Sequence, residues 1–431
     1  MNLPLQRRRL LLSLLAAPLS ATPWTSALAQ ATSGPAVGQP LAPWTPGCLD
    51  IHHIATGRGN ATLVLMPDGT SLLIDAGATA DAPDTSAAPR PSAQRRPGEW
   101  VGRYVQRYLQ SAGLTALDYL LVTHLHPDHL GDVTDDSPLS KQGDYRLTGV
   151  ADVAEIVPVG SLIDRAFPGY DYPAPPNGRF AANYLAFVKS RVKQGLKVER
   201  FRAGSGEQIV PRGHRPLPAG TPTFGARNLA ANGEVWTGVG EQTRAMFPPL
   251  ASLAAKDLPN ENMCSTAVRI ASGKFGYFTA GDLTSYSFDG EQPWRDVLGA
   301  AARAAGPVDV ATADHHGMFD GLSADVVRTL RPQAWVIPVW HISHPDMLQL
   351  ERMFSDRLYP GPRDVFATSL MRENYLANRR LVTRMRSSDG HVVVRVAPGG
   401  ASFHTLVTDN ADEQDRVKLA LGPYLSGRNA I

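Results

Sequence analysis

The 431-residue chain has only two cysteines, and after its first 30 residues it has no long uninterrupted apolar run. Two cysteines cannot build a disulfide scaffold or a metal cluster held by cysteine alone. A membrane-spanning helix needs about 20 apolar residues, so we predict no membrane span once the leader is removed.

An excess of one charge is also lacking, because 42 Lys and Arg residues face 40 Asp and Glu residues. Removing residues 1–29 would leave 39 basic and 40 acidic residues. A near-neutral chain has no general attraction for nucleic acid. A nucleic-acid partner would therefore need a local basic patch and is not favoured by the overall charge. The hydrophobic content of 43% argues against disorder throughout.

The first 29 residues have the order of a secretory signal peptide. Arg7–Arg9 precede the apolar run Leu10–Leu19, and Ala27-Leu28-Ala29 forms a small-residue cleavage site. The paired arginines also resemble a twin-arginine signal, with an ordinary secretory signal as the alternative. We therefore predict a periplasmic or secreted protein. In that oxidising compartment Cys48 and Cys264 could pair, although two buried free thiols are an equal or better expectation.

The remaining chain divides by composition into four parts. Residues 30–46 are rich in Ala, Gly, Pro and Thr and predict a flexible lead-in. Residues 47–410 are predicted to form one domain of short strands and amphipathic helices, with a Pro/Gly-rich insertion at about 135–260 that shapes the pocket. Residues 411–431 are interpreted as a C-terminal tail.

The densest group of potential metal ligands follows a predicted buried strand. Leu117–Thr123 leads directly into His124-Leu125-His126-Pro127-Asp128-His129. Imidazole nitrogens and carboxylate oxygens suit zinc, manganese or iron. At a strand-to-helix turn His124 and His126 can share one ion, while Asp128 and His129 begin the next element and can serve a second. A merely solvated loop is a weak alternative for four ligand-type residues in six positions.

The run Thr123–Gly131 matches the T-H-x-H-x-D-H-x-G motif of the metallo-β-lactamase superfamily, which the chain therefore resembles. Leu73–Gly77 is similar to the superfamily's early strand end, and Phe278–Asp282 to its later strand ending in Gly-Asp. The resemblance extends over most of residues 50–400. It implies an α/β fold, a four-layer αββα sandwich with mixed sheets, and hydrolysis by metal-activated water.

Within the superfamily the chain most resembles the ComEC-like branch, the hydrolase domain of competence proteins. Gly57–Ala61 is similar to that branch's G-x-G-D-A turn, Asp314–Gly317 to its H-H-G strand end, and His344-Pro345 to its later G-H-P. Asn60 replaces the usual Asp, which weakens an acid–base or metal role there, and Ser343 replaces the usual Gly.

The resemblance implies a divalent metal site with one or two ions, zinc before manganese or iron. Asp282 would bridge the ions, and of the adjacent histidines His315 is favoured over His316 because it lies nearer the strand end. The full predicted ligand set is His124, His126, Asp128, His129, Asp282, His315 and His316.

Other residues are expected to support the chemistry. Asp75, with Asn60 near it, would hold a ligand imidazole rather than bind metal itself. Asp128 would orient the nucleophilic water and take its proton. His344 would contact the substrate or donate a proton, and the alternative is a loop histidine fixed by Pro345.

The superfamily often has a further histidine between the first motif and Gly-Asp. Here only His214 lies in that interval, in a Pro-rich loop, and we expect a surface residue rather than a ligand. Asn260-Glu261-Asn262 resembles the Asn-rich segment that the ComEC-like branch carries instead. One ion would then be held by fewer protein ligands.

Three functions compete at this point. The first is an exported hydrolase of a small-molecule or ester-type substrate, and the branch resemblance favours a phosphodiester. The second is a degenerate family member with a binding or scaffolding role, motivated by Asn60 and the missing middle histidine. The third, a di-iron oxidoreductase, lacks the flavin partner domain and ranks last. The sequence does not determine the oligomeric state.

Overall fold

The computed structural model describes residues 36–428 except residues 83, 218 and 220. The predicted signal peptide lies outside these residues. The described strands are β1 (Leu49–His53), β2 (Thr62–Leu65), β3 (Ser71–Ile74), β4 (Leu117–Val122), β5 (Val159–Asp164), β6 (Lys197–Arg200), β7 (Phe224–Ala231), β8 (Glu234–Trp236), β9 (Thr243–Ala245), β10 (Ala267–Ser272), β11 (Phe275–Thr279), β12 (Val310–Thr312), β13 (Ala334–Ile337), β14 (Asp364–Ala367), β15 (His391–Val396), β16 (Ser402–Thr408) and β17 (Val417–Leu425). The described α-helices are α1 (Pro97–Ser111), α2 (Pro127–Leu130), α3 (Gly149–Ile156), α4 (Arg179–Lys193), α5 (Val297–Ala305), α6 (Ala324–Leu330), α7 (Met347–Met353), α8 (Arg372–Ala377) and α9 (Arg379–Val382).

The strands form two mixed sheets. The first has the order β17-β16-β15-β1-β2-β3-β4-β5-β6, and the second has the order β14-β13-β12-β11-β10-β7-β8-β9. Parallel pairs run from β3 to β6 in the first sheet and from β11 to β14 in the second, while the other pairs are antiparallel. Parallel strands bring their carboxyl ends to one edge, where ligand sites of α/β sheets form.

The sheets pack face to face, and helices cover their outer faces. Leu72 and Tyr119 of the first sheet share one buried core with Ile270 and Tyr277 of the second. A second core joins the first sheet to α1, α3 and α4, and a third joins the second sheet to α5, α6, α7 and α9. The predicted four-layer α/β sandwich with mixed sheets is therefore confirmed.

Helix α1 illustrates how local sequence sets an element. Pro97 occupies the first helical position, and the Glu99 carboxylate accepts from the Arg96 backbone N–H at 3.0 Å. Val101, Val105 and Leu109 recur at helical spacing and are all buried. Burying each such side chain contributes about 1.5–3 kcal/mol, so α1 is stabilised mainly by this face.

Two segments interpreted as peripheral contribute to the first sheet. In the lead-in, Leu41 and Trp44 are buried, and Gly38 N donates to Val417 O at 2.8 Å. In the segment interpreted as a tail, β17 pairs antiparallel with β16 and extends the sheet. β17 lies at the sheet edge and is half-buried or exposed after Val417, so it lacks a strong buried pattern.

The region interpreted as an insertion, residues 135–260, also contributes to the layers. It supplies β5 and β6 to the first sheet and β7, β8 and β9 to the second, while α3 and α4 pack on the first sheet. Long Pro- and Gly-rich connections separate these elements and hide their periodicity.

Cys48 and Cys264 are both buried and free. None of the described helices combines the length and apolarity that crossing a bilayer requires.

Buried His391 predicts a loss of stability in acid. Its Nδ1 accepts the Ala55 N–H at 2.9 Å, and burial, aided by Arg107, lowers its pKa to about 3. Below about pH 6.5 the unfolded state binds the extra proton, so this residue removes about 1.4 kcal/mol of unfolding free energy per pH unit as pH falls. Urea unfolding in chelator at about pH 7 and about pH 5 should show a smaller acid loss for His391→Asn than for the parent. Equal losses in the two proteins would contradict the assignment.

Candidate metal centre

Three strand ends meet at one edge of the sandwich. His124 follows β4 of the first sheet, while Asp282 follows β11 and His316 follows β12 of the second sheet. These side chains are buried, although they are separated by up to 192 residues of sequence. The convergence of both sheets at this edge creates the candidate site.

The first group of potential ligands contains His124, His126 and Asp282. His124 Nε2 lies 3.1 Å from His126 Nδ1 and 3.6 Å from Asp282 Oδ2. His124 is fully buried and His126 is half-buried. His124 and His126 are the two imidazoles that the sequence predicts to share one ion, because they alternate after β4.

The second group contains Asp128, His129, His316 and the same Asp282. His129 Nε2 lies 3.4 Å from Asp128 Oδ2 and 3.1 Å from Asp282 Oδ1. His316 Nε2 lies 2.8 Å from Asp128 Oδ2 and 3.5 Å from Asp282 Oδ2. Asp282 therefore belongs to both groups, as a carboxylate bridging two ions would.

The donor set fits a divalent cation. Ligand atoms at tetrahedral zinc distances of about 2.0–2.1 Å are separated by about 3.3 Å, which is close to the separations in both groups. His129 Nε2 and Asp282 Oδ1 are buried and make no hydrogen bond to the described chain. Buried polar atoms without partners are costly, and a cation between them would satisfy both.

His315 lies outside both groups, in contrast to the preference drawn from its position near the strand end. Its Nε2 is 3.9 Å from Asp282 Oδ2 and 3.1 Å from Asn262 Nδ2, while its Nδ1 donates to Asp320 at 2.7 Å. His315 and His316 both have left-handed φ values, 50° and 52°. This local turn sends His316 into the centre, and such strain is concentrated at functional sites.

Asp75 occupies the supporting position that the sequence predicts. Its Oδ2 accepts from His129 Nδ1 at 2.7 Å, and its two oxygens also accept from the N–H and the hydroxyl of Thr123, each at 2.8 Å. The bond at Nδ1 leaves His129 Nε2 to the cluster. The Asn60 amide is 3.5 Å from Asp75, at the limit of a hydrogen bond.

The buried charges of the cluster shift one another. Burial opposes ionisation of Asp128 and Asp282, but the surrounding imidazoles, His129 foremost, hold both pKa values well below the usual range. Burial also opposes protonation of His316, yet Asp282 and Asp128 raise its pKa to about 10. His124 differs, because burial and its imidazole neighbours lower its pKa. The cluster thus keeps two anionic carboxylates in a buried setting, as a cation site requires.

His344 lies beside His316 of the second group. Its ring stacks on His316 with a centroid distance of 4.7 Å, and Trp340 packs edge-on against it at 5.1 Å. His344 is 4% exposed, and its Nδ1 has no hydrogen-bond partner in the described chain. The residue is therefore adjacent to the centre without belonging to either group of potential ligands.

His214 is remote from this arrangement. It is partly exposed, and its Nε2 lies 2.8 Å from Asp118 Oδ1. It belongs to neither group of potential ligands in the described chain.

The sequence reasoning missed a buried ion pair that fixes the ligand turn. Glu261 accepts from the N–H of Leu125, the residue between His124 and His126, at 2.7 Å. Fully buried Arg165 donates to Glu261 through two nitrogens, with Nε at 2.6 Å. The only available signal was the Asn260–Asn262 resemblance, which drew attention to the asparagines.

This pair predicts an effect on metal affinity. Glu261→Gln weakens the acceptor that holds Leu125, so metal affinity should fall by about 10–100-fold, as for other groups that orient ligands. The measurement is competition with a chromogenic chelator on protein shown to be folded by circular dichroism. Glu241→Gln is the matched control, because Glu241 accepts a hydrogen bond from the Ser205 hydroxyl and belongs to neither group of potential ligands. Equal affinities in the two variants would contradict the role of Glu261.

Comparison with known proteins gives a family match over part of the chain. Residues 54–141 match the profile of the Metallo-beta-lactamase superfamily. The matched segment includes Asp75 and the ligand turn 124–129. None of the curated proteins compared matches the chain.

Several solved structures resemble the chain at low identity. A proposed metal-dependent hydrolase from Parabacteroides distasonis has 12% identity and a TM-score of 0.35, with 75% of this chain and 94% of that chain covered. The short form of human tRNase Z has 11% identity and a TM-score of 0.29, covering 66% and 91%. A diphosphatase of the PhnP family has 10% identity and a TM-score of 0.31, covering 81% and 98%.

Proposed function

We propose that the protein is an exported metal-dependent hydrolase that cleaves a phosphodiester or another ester-type bond in a small-molecule substrate. The carrying observation is that Asp282 is shared by two groups of buried His and Asp side chains. The proposed cofactor is one or two divalent ions, zinc before manganese or iron, because the donors are imidazoles and carboxylates.

The proposed roles follow from placement. His124, His126, Asp128, His129, Asp282 and His316 would hold the ions. A divalent cation supplies a nucleophile at neutral pH by lowering the pKa of its bound water, and it polarises the bond under attack. Asp128 would orient the attacking water and accept its proton, while His344, stacked on His316, would contact the leaving group. Asp75 would keep His129 in the required tautomer.

Export and branch membership are supported by sequence alone. The basic, apolar and small-residue order of residues 1–29 supports a signal peptide and a periplasmic or secreted location. The turn Gly57–Ala61 and the pair His344-Pro345 support the ComEC-like branch. Fractionation of the native cell, with N-terminal sequencing of the mature protein, tests the first of these proposals.

The activity is tested on purified protein loaded with zinc, manganese or iron in turn. The panel contains bis(4-nitrophenyl) phosphate, an aryl acetate, a lactone and a lactam, and metal content is measured by elemental analysis. We expect at least one bound ion and metal-dependent turnover of an ester-type probe. Metal-loaded protein that is inert on every probe would overturn the proposal.

A binding or scaffolding role is the second candidate. It is favoured by Asn60, which stands where the branch carries Asp, and by Asn262, whose amide contacts His315 at 3.1 Å in the segment that replaces a middle histidine. Absence of bound transition metal, together with no loss of binding in His126→Ala, would favour this candidate over the hydrolase.

A further inference from the structure

A cavity of about 190 Å³ lies against the metal centre on the side of His126. Half-buried His126 forms part of its wall, so this space adjoins the first group of potential ligands. The lining residues are Leu125, His126, Pro173, Ala174, Pro175, Pro176, Asn177, Phe180, Pro259, Asn260 and Glu261.

The walls of this cavity, called here the proline cavity, combine rigid apolar side chains with polar groups. Four prolines, Phe180 and Leu125 provide its apolar surface. Proline has a fixed φ and loses little side-chain entropy when a ligand is bound. A protein cavity of about 150 Å³ binds benzene, so this volume suits one ring with its substituents.

The charge of the proline cavity is balanced before any ligand enters. No Lys or Arg is among the lining residues, all of which the structure describes. The lining carboxylate, Glu261, is already paired with buried Arg165 through two guanidinium nitrogens. The other polar side chains are the imidazole of His126 and the amides of Asn177 and Asn260, of which the Asn260 oxygen accepts from Met263 N at 3.1 Å. The amides carry no charge, and their NH2 groups can donate to a ligand.

We propose that the proline cavity receives an uncharged, ring-sized group of the substrate, next to the bond that is cleaved. The inference rests on the proposed hydrolase function and narrows its substrate class to esters with a neutral ring, which the asparagine amides bind by hydrogen bonds. The lining residues include no cation that would bind the next phosphate of a polynucleotide.

Two substrates that differ only in charge test the proposal. A phenyl ester and its ring-sulfonated analogue are compared, using whichever ester type the activity panel identifies. Asn260→Lys should lower the preference for the neutral ring by about tenfold, the change that 1.4 kcal/mol produces. Gln110→Lys adds the same charge at an exposed position of α1 and should leave the preference for the neutral ring unchanged. Equal preference in the parent and both variants would overturn the proposal.

A binding experiment separates failure of the proline cavity from failure of the hydrolase. Ala174→Trp fills the cavity from an exposed lining position. Saturation-transfer NMR with benzyl alcohol should detect binding to the parent and a loss of at least about tenfold in the variant. Equal binding to both proteins, or equal binding of benzenesulfonate and benzyl alcohol to the parent, overturns the proposal even if turnover is observed. If the parent is inert on the panel but binds benzyl alcohol, and Ala174→Trp does not bind it, the proposed ring site is supported and the proposed hydrolase function is not.

Discussion

Asp282→Ala is expected to remove bound metal and to reduce hydrolysis of the best ester-type probe by more than about 100-fold. Residues that only orient ligands already cost about 10–100-fold, and Asp282 belongs to both groups of ligands. Its loss would also remove the carboxylate nearest to His129 Nε2, at 3.1 Å, and leave only Asp128, at 3.4 Å. Metal per folded protein and kcat/KM are the two measurements.

The control for this variant is another buried carboxylate. Asp309→Ala removes a side chain that accepts from Gly276 N and Gly427 N, at 3.0 and 2.8 Å, and that has no place in the metal centre. It should lower stability while keeping metal content and kcat/KM per folded molecule. A metal content in Asp282→Ala equal to that of Asp309→Ala would show that Asp282 is not a ligand.

Gly77→Ala is expected to reduce kcat/KM almost as much, although Gly77 carries no functional group. A Cβ at this position would lie 1.8 Å from the backbone oxygen of Asp128 and 2.9 Å from Asn60 N. The backbones of these three residues are joined, because Gly77 N donates to Asn60 O and Asn60 N donates to Asp128 O. The ligand turn must shift, and a displacement of about 1 Å at a catalytic site can cost about 100-fold in rate.

Gly169→Ala provides the matched comparison, since no atom lies within 4 Å of the position its Cβ would take. That change should alter the free energy of unfolding by less than about 0.5 kcal/mol and leave kcat/KM unchanged. Thermal unfolding and kcat/KM are measured for both variants. Equal kcat/KM values would mean that the close contact between the Gly77 and Asp128 backbones does not position Asp128.

The sequence predicts most of the candidate site because its potential ligands follow strands whose patterns are strong. Leu117–Thr123 is mostly apolar, so the turn 124–129 after β4 could be placed before any coordinates, and the Gly-Asp end of β11 located Asp282. The choice between His315 and His316 could not be made this way. It depends on two successive left-handed residues, a conformation that sequence patterns rarely reveal outside glycine and asparagine.

Other features depend on contacts between distant segments. The Arg165–Glu261 pair joins residues 96 positions apart, Arg165 lies in no recognisable motif, and the Asn260–Asn262 resemblance does not indicate the pair. The edge strand β17 is half-buried or exposed after Val417 and contains Gly422 and Pro423, so its pairing with β16 outweighs its local propensity. Long-range packing of this kind leaves no periodic signal in either segment.

The position of β1 has a consequence for how the chain is made. β1 lies between β2 and β15, and all five of its residues are buried in the finished sheet. One of its edges therefore stays unpaired on the ribosome until residues 391–396 have emerged. An unpaired edge whose residues are buried in the finished sheet invites aggregation, so the nascent chain should depend on a holdase chaperone, and fragments that stop before residue 391 should be insoluble.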